Sequence, residues 1–330
     1  MAILPRLCAV AAILGLTLPA AGSEPFVYQG MCEASAAAAL SAKRFIVASD
    51  ESNTLLLYER ENAKPLGKLE LESFLKAKKS DLEGSATVGQ RIYWISSHSL
   101  SKKGEVKPER YRFFAINTSQ LPLRTDGQPY TRLLEDLLDT PLAQKYGLKE
   151  AAGKKPEDDG GLNIEGLTAT PDNTLLIGFR NPLPHGRALL VPLLNPAELI
   201  YAKPEKTDIK PEKADAKPEE ADAKRVVASF GEAIELELNG LGIRSIEPAG
   251  DGYLIVAGPA GDKGSFALYR WSGKSGELPR KLAVEGLEGL SPEALFAIPG
   301  SKNKFVLLSD DGGNCNPAAM TFRSITVKLP

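Results

Sequence analysis

Five times along the chain an acidic residue is followed by small residues, a turn and a compact apolar run, and this internal repeat constrains the fold more than any other feature. The copies begin Glu33-Ala34-Ser35, Glu83-Gly84-Ser85-Ala86, Glu165-Gly166-Leu167, Glu247-Pro248-Ala249 and Glu293-Ala294-Leu295. They lead to the apolar runs Phe45–Asp50, Arg91–Ser97, Leu175–Gly178, Tyr253–Ala257 and Lys304–Asp310. Each copy reads as a hairpin, because β-branched and aromatic runs are separated by Gly, Asp or Pro turn signals. A third run follows each hairpin: Thr54–Tyr58, Tyr111–Ile116, Ala188–Pro192, Phe266–Trp271 and Phe322–Val327. Fourth runs such as Leu66–Leu71 and Ile234–Leu238 are less distinct. Four antiparallel strands per unit, recurring every roughly 40 to 50 residues once insertions are discounted, predict an all-β chain folded as a β-propeller. Five four-stranded blades fit best, with six the runner-up.

The last unit shows three strands, and Phe26-Val27-Tyr28-Gln29 could supply its missing outer strand and close the ring. Cys32 and Cys315 point to the same joint. Cys32 precedes the inner strand of unit one, and Cys315 follows the second strand of unit five, so five blades bring both to one face. In an oxidising compartment such a pair reads as a disulfide, the alternative being two unrelated buried thiols.

An exported chain is expected because Arg6 is followed by the short apolar run Leu7–Leu18, then Pro19 and the small residues Ala20-Ala21-Gly22. Residues 1–22 therefore read as a signal peptide, too short in its apolar part to span a bilayer. Cys8 lacks the small residues of a lipoprotein box and leaves with that segment. The expectation is a periplasmic or secreted protein with no transmembrane segment once mature. Residues 23–330 then form one propeller domain. Leu133, Leu134, Leu137, Leu138 and Leu142 stand at helical spacing and predict a helical insertion near 130–160. From 202 to 224 a sevenfold period of Lys-Pro-Glu with Asp and Ala has almost no apolar residue and reads as a disordered loop.

With 40 Lys+Arg against 42 Asp+Glu the formal net charge is −2, which gives no electrostatic footprint for nucleic acid. Two His and three Cys exclude a dedicated zinc site by their scarcity and spacing. Chemistry is therefore sought where a propeller gathers side chains, on the channel axis. The repeat places Glu33, Glu83, Glu165, Glu247 and Glu293 at the entrance of the inner strands. The ends of the second strands, with Asp50, Glu51, His98, Arg180, Asn181, Gly258, Asp310 and Asp311, lie near the same face, as does Arg244. Such a carboxylate ring demands compensation. One reading is a hard cation, Ca²⁺, held by Glu33, Glu83, Glu165, Glu247, Glu293 and Asp310, with Arg180, Arg244, His98 and Asn181 receiving a small anionic ligand such as a phosphate ester. The other is structural: the glutamates accept backbone N–H bonds and hold the ring together. Ser99-Leu100-Ser101-Lys102 and the glycine-rich Gly258–Gly264 lack the partner motifs of a catalytic serine or a phosphate loop, and no triad can be named.

The segments Asp81-Leu82-Glu83-Gly84, Asn163–Asp172, Leu176–Pro182, Gly242–Glu247 and Leu308–Gly312 resemble an uncharacterised family of secreted bacterial proteins carrying a domain of unknown function. That resemblance covers most of the mature chain. More distantly, Ile164-Glu165-Gly166-Leu167 with a later strand ending in Ser309-Asp310 is similar to the esterase-like phytase propellers. The second resemblance implies a calcium-dependent phosphoesterase, although the full acidic calcium set of those propellers is not matched. Two hypotheses follow: a monomeric metal-dependent phosphoric ester hydrolase, and a non-catalytic ligand- or protein-binding module on the same face.

Overall fold

The computed structural model describes residues 24–202, 225–261, 263–315 and 318–329. The expected signal segment and nearly all of the low-complexity stretch lie outside these residues. Five four-stranded antiparallel sheets form a ring, with strands in simple up-and-down order. Blade one holds β2 (Ala36–Ala39), β3 (Arg44–Ser49), β4 (Ser52–Glu59) and β5 (Gly67–Glu70). Blade two holds β6 (Leu82–Val88), β7 (Arg91–Ser96), β8 (Phe113–Asn117) and β9 (Arg124–Tyr130). In blade three are β10 (Asn163–Ala169), β11 (Leu175–Asn181), β12 (Ala188–Leu193) and β13 (Ile234–Leu236). Blade four has β14 (Gly242–Ala249), β15 (Gly252–Gly258), β16 (Ala267–Trp271) and β17 (Arg280–Leu282). Blade five has β18 (Pro292–Ala297), β19 (Lys304–Ser309) and β20 (Thr321–Lys328), and its outer strand is β1 (Phe26–Gln29).

β1 pairs with β20 from Phe26↔Ser324 to Gln29↔Thr321, so the start of the described chain completes the last blade. This leaves the joint without an open sheet edge. The Cys32–Cys315 disulfide spans the same joint, with Cα atoms 5.5 Å apart across a sequence separation of 283.

The core is divided among the blade-to-blade interfaces, since each sheet must bury both faces against its neighbours. Tyr28, Phe45, Tyr58, Phe296 and Phe322 fill the joint between blades five and one. Trp94, Phe114 and Ile46 lie between blades one and two. Burying each such side chain stabilises the fold by about 1.5–3 kcal/mol. Towards the axis the inner strands crowd, and small residues are obligatory. A Cβ added to Gly166 would stand 2.7 Å from Ile243 Cγ2 of blade four, and one at Gly84 would stand 3.0 Å from the Glu165 carbonyl oxygen of blade three. Short helices at Leu133–Leu138, Pro141–Lys145 and Leu148–Ala152 connect β9 to β10 and bury Leu133, Leu137 and Leu148 against blades two and three.

Candidate functional site

The inner strand of four blades carries a β-bulge, and the bulged residues are Glu83, Glu165, Arg244 and Glu293. A bulge inserts one unpaired residue and re-aims its side chain. In blade one Ala36 pairs with Ala48 as Gly84 pairs with Ile95, which puts Ser35 at the equivalent place. The innermost ring is thus Ser35, Glu83, Glu165, Arg244 and Glu293. A second ring is formed two residues beyond the partner of the residue after each bulge: Asp50, Ser97, Arg180, Gly258 and Asp310. Two residues before the bulge lies a third set: Glu33, Asp81, Asn163, Gly242 and Ser291.

These rings divide the channel mouth into two halves of opposite character. Over blades three to five the charges are matched. Glu165, 3% exposed, accepts hydrogen bonds from Asn163 Nδ2 at 2.9 Å, Arg180 Nη1 at 3.0 Å and Arg244 Nη1 at 3.2 Å. Arg244 also binds Glu293 Oε1, donates to the Pro259 carbonyl at 2.9 Å, and stands 5.4 Å over the Phe266 ring. Gly258 leaves room for that arginine, since a Cβ there would lie 2.9 Å from Arg244 Cγ. Burial still pushes the Glu293 carboxyl up to about 8, with Arg244 opposing the shift.

Over blades one and two the carboxylates outnumber their partners. Asp50, Asp81 and Glu83 each offer an oxygen within 4.8 Å of the others, and Glu33, Asp50 and Glu51 do the same. Glu83 is 9% exposed, and among the described residues no donor hydrogen-bonds its carboxylate, Arg180 acting on it only through space. Asp50 Oδ1 is buried without a hydrogen-bond partner. Asp81 is relieved by Arg110 Nη1 at 2.9 Å, while Lys79 serves the exposed Glu51. Burial, then the neighbouring acids Glu165, Asp81 and Asp50, push Glu83 well above the usual carboxylate range. Burial with Glu33, Asp81 and Asp310 pushes Asp50 up to about 9. Burial is also the first cause of the rise at Glu33, Asp81 and Asp310. Without compensation Asp50 holds a proton at neutral pH. A cation supplied from solution is the alternative compensation, and the all-oxygen donor set suits a hard ion.

The five glutamates of the repeat do not form one ring. Glu247 lies three residues past the bulge of blade four and accepts a hydrogen bond from the Ala297 backbone N–H of blade five at 3.1 Å. Burial moves it up to about 7, and its place in the innermost ring belongs to Arg244. Glu33 stands at the Asp81 position instead, two residues before the ring, and reaches the acids by hydrogen bonding with Asp50 and bridging Asp310. The structure brings Glu33, Glu83 and Asp310 to the acid-rich half and Glu165, Glu293, Arg180 and Arg244 to the matched half. His98 is 1% exposed, its Nδ1 is 2.7 Å from the Ser96 carbonyl, and burial lowers it to about 4, so it is a neutral core residue. Asn181 donates to the Pro156 and Asp158 carbonyls at 3.0 and 2.8 Å and so braces the inserted segment. Asp81 escaped the repeat-based reading. Its signal was positional, two residues ahead of Glu83, as Asn163 stands ahead of Glu165.

Among the described residues no helix is long and apolar enough to cross a membrane. A family model described as "Protein of unknown function (DUF3616)" matches residues 130–302. No curated protein matches the chain in sequence. Among solved structures, the chain is similar to a glutaminyl cyclase of Myxococcus xanthus, with 11% identity over 92% of this chain and 96% of that one, at a TM-score of 0.46. It is also similar to the PQQ-bound form of an aldose sugar dehydrogenase from Streptomyces coelicolor, with 13% identity over 92% and 99% of the two chains, at a TM-score of 0.43.

Proposed function

The chain belongs to the DUF3616 family, and we propose that its acid-rich half-mouth binds a divalent cation, Ca²⁺ by donor chemistry, through Asp50, Asp81 and Glu83 with Glu33 alongside. The observation that carries this reading is Glu83: a buried carboxylate without a donor, aimed at two further carboxylates. An uncompensated buried charge is costly, and a bound cation removes that cost. Glu165, Glu293 and Asp310, also considered as ligands, are engaged by arginines or by the Gly312 backbone N–H and hold the rim of the site.

A cation so placed would receive a small anionic ligand, and the hydrolytic version is a Ca²⁺-dependent phosphoesterase in which the ion polarises a phosphoryl oxygen. The second reading is a non-catalytic module that binds its ligand through the cation. It is favoured by the state of Arg180 and Arg244, whose guanidinium groups are already bound to Glu165 and Glu293 rather than presented to a ligand. Export to the periplasm or medium is part of the proposal, and the disulfide and the lack of a membrane-crossing helix are compatible with it. Calorimetric titration with Ca²⁺, followed by a phosphomonoester and phosphodiester panel with and without chelator, tests both readings. Ca²⁺ binding with chelator-sensitive turnover supports the hydrolase, and binding without turnover supports the module. No Ca²⁺ binding at any pH up to about 9, where Asp50 is deprotonated, removes both.

A further inference from the structure

We infer that the Cys32–Cys315 disulfide controls the cation site, holding Glu33 and Asp310 in place so that cation binding depends on the oxidation state of the bridge. This rests on the cation reading above.

The ring does not need the bridge to stay closed. β1 is paired with β20 over four residues, and the aromatic cluster of Tyr28, Phe45, Tyr58, Phe296 and Phe322 packs the same joint. The disulfide sits at the channel-mouth end of that joint, away from the strand pairing. Cys32 is the residue before Glu33, and its carbonyl accepts the Asp311 N–H at 3.0 Å. Glu33 forms an isolated antiparallel bridge with Asp310, whose carboxylate accepts the Gly312 N–H at 2.8 Å. The Glu33 carboxylate lies so close to Gly312 that a Cβ there would stand 2.2 Å from Oε1. The segment from Asp310 to Cys315 is therefore wrapped on Glu33, and its far end is tied back by the sulfur–sulfur bond.

That tie works against electrostatics. Glu33, Asp50 and Asp310 are acids gathered at one edge with Glu51 beside them, so their charged forms repel. Asp310 and Asp311 stay on blade five through the Ser291 carbonyl, Ser309 and Arg323, so once the covalent link is gone it is the Cys32–Glu33 side that is freed, held to them by the Glu33–Asp310 bridge and the Asp311 N–H bond. Both cysteines also line an open groove of about 810 Å³ whose wall includes Glu33 and Glu51, so the bridge is approachable from the side on which the acids sit. A dithiol reductant can attack there. The Cys32–Cys315 S–S bond breaks, two electrons and two protons pass to its sulfurs to give two thiols, and the reductant leaves as its own disulfide. Glu33 and residues 312–315 then relax apart, and the site loses its rigid edge.

The experiment compares Ca²⁺ affinity of the full-length mature protein in three states: oxidised, reduced with dithiothreitol under thiol counting, and as the C32S/C315S variant. Far-UV and near-UV circular dichroism are recorded alongside. The expected result is an affinity at least tenfold weaker in the reduced and variant forms, with both spectra retained and the affinity restored on reoxidation. Equal affinity in all forms overturns the inference and leaves the cation reading standing. Loss of near-UV dichroism on reduction overturns it differently, by showing that the bridge fastens the ring. No Ca²⁺ binding to the oxidised protein removes the cation reading and this inference together.

Discussion

Glu83 and Glu165 occupy the same bulge in successive blades and live in opposite surroundings. Two residues ahead of Glu165 stands Asn163, a hydrogen-bond donor, while ahead of Glu83 stands Asp81, another acid. Across the hairpin Glu165 meets Arg180, whereas the equivalent of Arg180 in blade two is Ser97, which is too short to serve as a counter-charge. Two exchanges at fixed backbone positions thus turn a satisfied ion lattice into a site where Glu83 has no hydrogen-bonded cation. The lesson is that a propeller repeat fixes where side chains meet, and the residues at two neighbouring positions decide whether the meeting is structural or poised for a ligand.

The difference can be broken most severely from the matched half. Replacing Arg244 with Met leaves Glu165 and Glu293 short of a partner inside the ring, and breaking a buried pair in this way costs about 3–5 kcal/mol. A large fall in the thermal midpoint is expected. A change under about 1 kcal/mol would show that the lattice is not what cements blades three to five.

The acid-rich half should respond in the other direction. Glu83→Gln removes a buried carboxyl without a donor, so the cation-free protein should gain stability or hold it, by up to about 1–3 kcal/mol. The same variant should lose the stabilisation that Ca²⁺ gives the parent, about 2.7 kcal/mol at a hundredfold excess over Kd. Denaturant unfolding with and without Ca²⁺ checks both. A destabilised Glu83→Gln that still responds to Ca²⁺ contradicts the assignment.

A third measurement sharpens the contrast through pH. Asp50 rises from its ordinary 3.8 to about 9 on folding, so between those values the folded protein binds more protons than the unfolded chain. Its contribution is fully present below about 4 and is lost as pH climbs towards 9, at up to about 1.4 kcal/mol per pH unit. Cation binding expels the proton, so Ca²⁺ affinity should strengthen over the same range. Asp50→Asn should flatten the stability profile, and an unchanged slope would locate the titration elsewhere. The smallest effect belongs to the surface: Lys79→Ala removes an exposed partner of Glu51 that acts on Asp50 and Asp81 only through space, and should move stability by less than about 0.5 kcal/mol.

The architecture was legible because apolar runs such as Phe45–Val47 and Phe305–Leu308 repeat with turns between them, and because Phe26–Gln29 and the cysteines bracket a joint that only a ring brings together. Strand β9, Arg-Thr-Asp-Gly-Gln-Pro-Tyr, carries no such pattern. As the exposed outer strand of its blade it has only one neighbour to satisfy and little surface to bury. The site was half legible. The repeat announced an acidic mouth, yet one bulged residue shifts every later side chain relative to its neighbours, so Glu247 looked equivalent to Glu83 while Arg244 holds that place. Pairing of Arg244 with Glu165 of blade three and Glu293 of blade five spans 79 and 49 positions, a relation no local window contains.

The joint between β1 and β20 has a consequence for biogenesis. Four blades are built from contiguous sequence and can pack as the polypeptide lengthens, but blade five borrows a strand made at the opposite extreme of translation. Its closure is the longest loop the chain must tie, which makes it the step most penalised by entropy. Glu33 and Asp310 meet only at that step. A chain that has not closed therefore carries folded blades with an unassembled mouth, and the mouth is the last part of the ring to be completed.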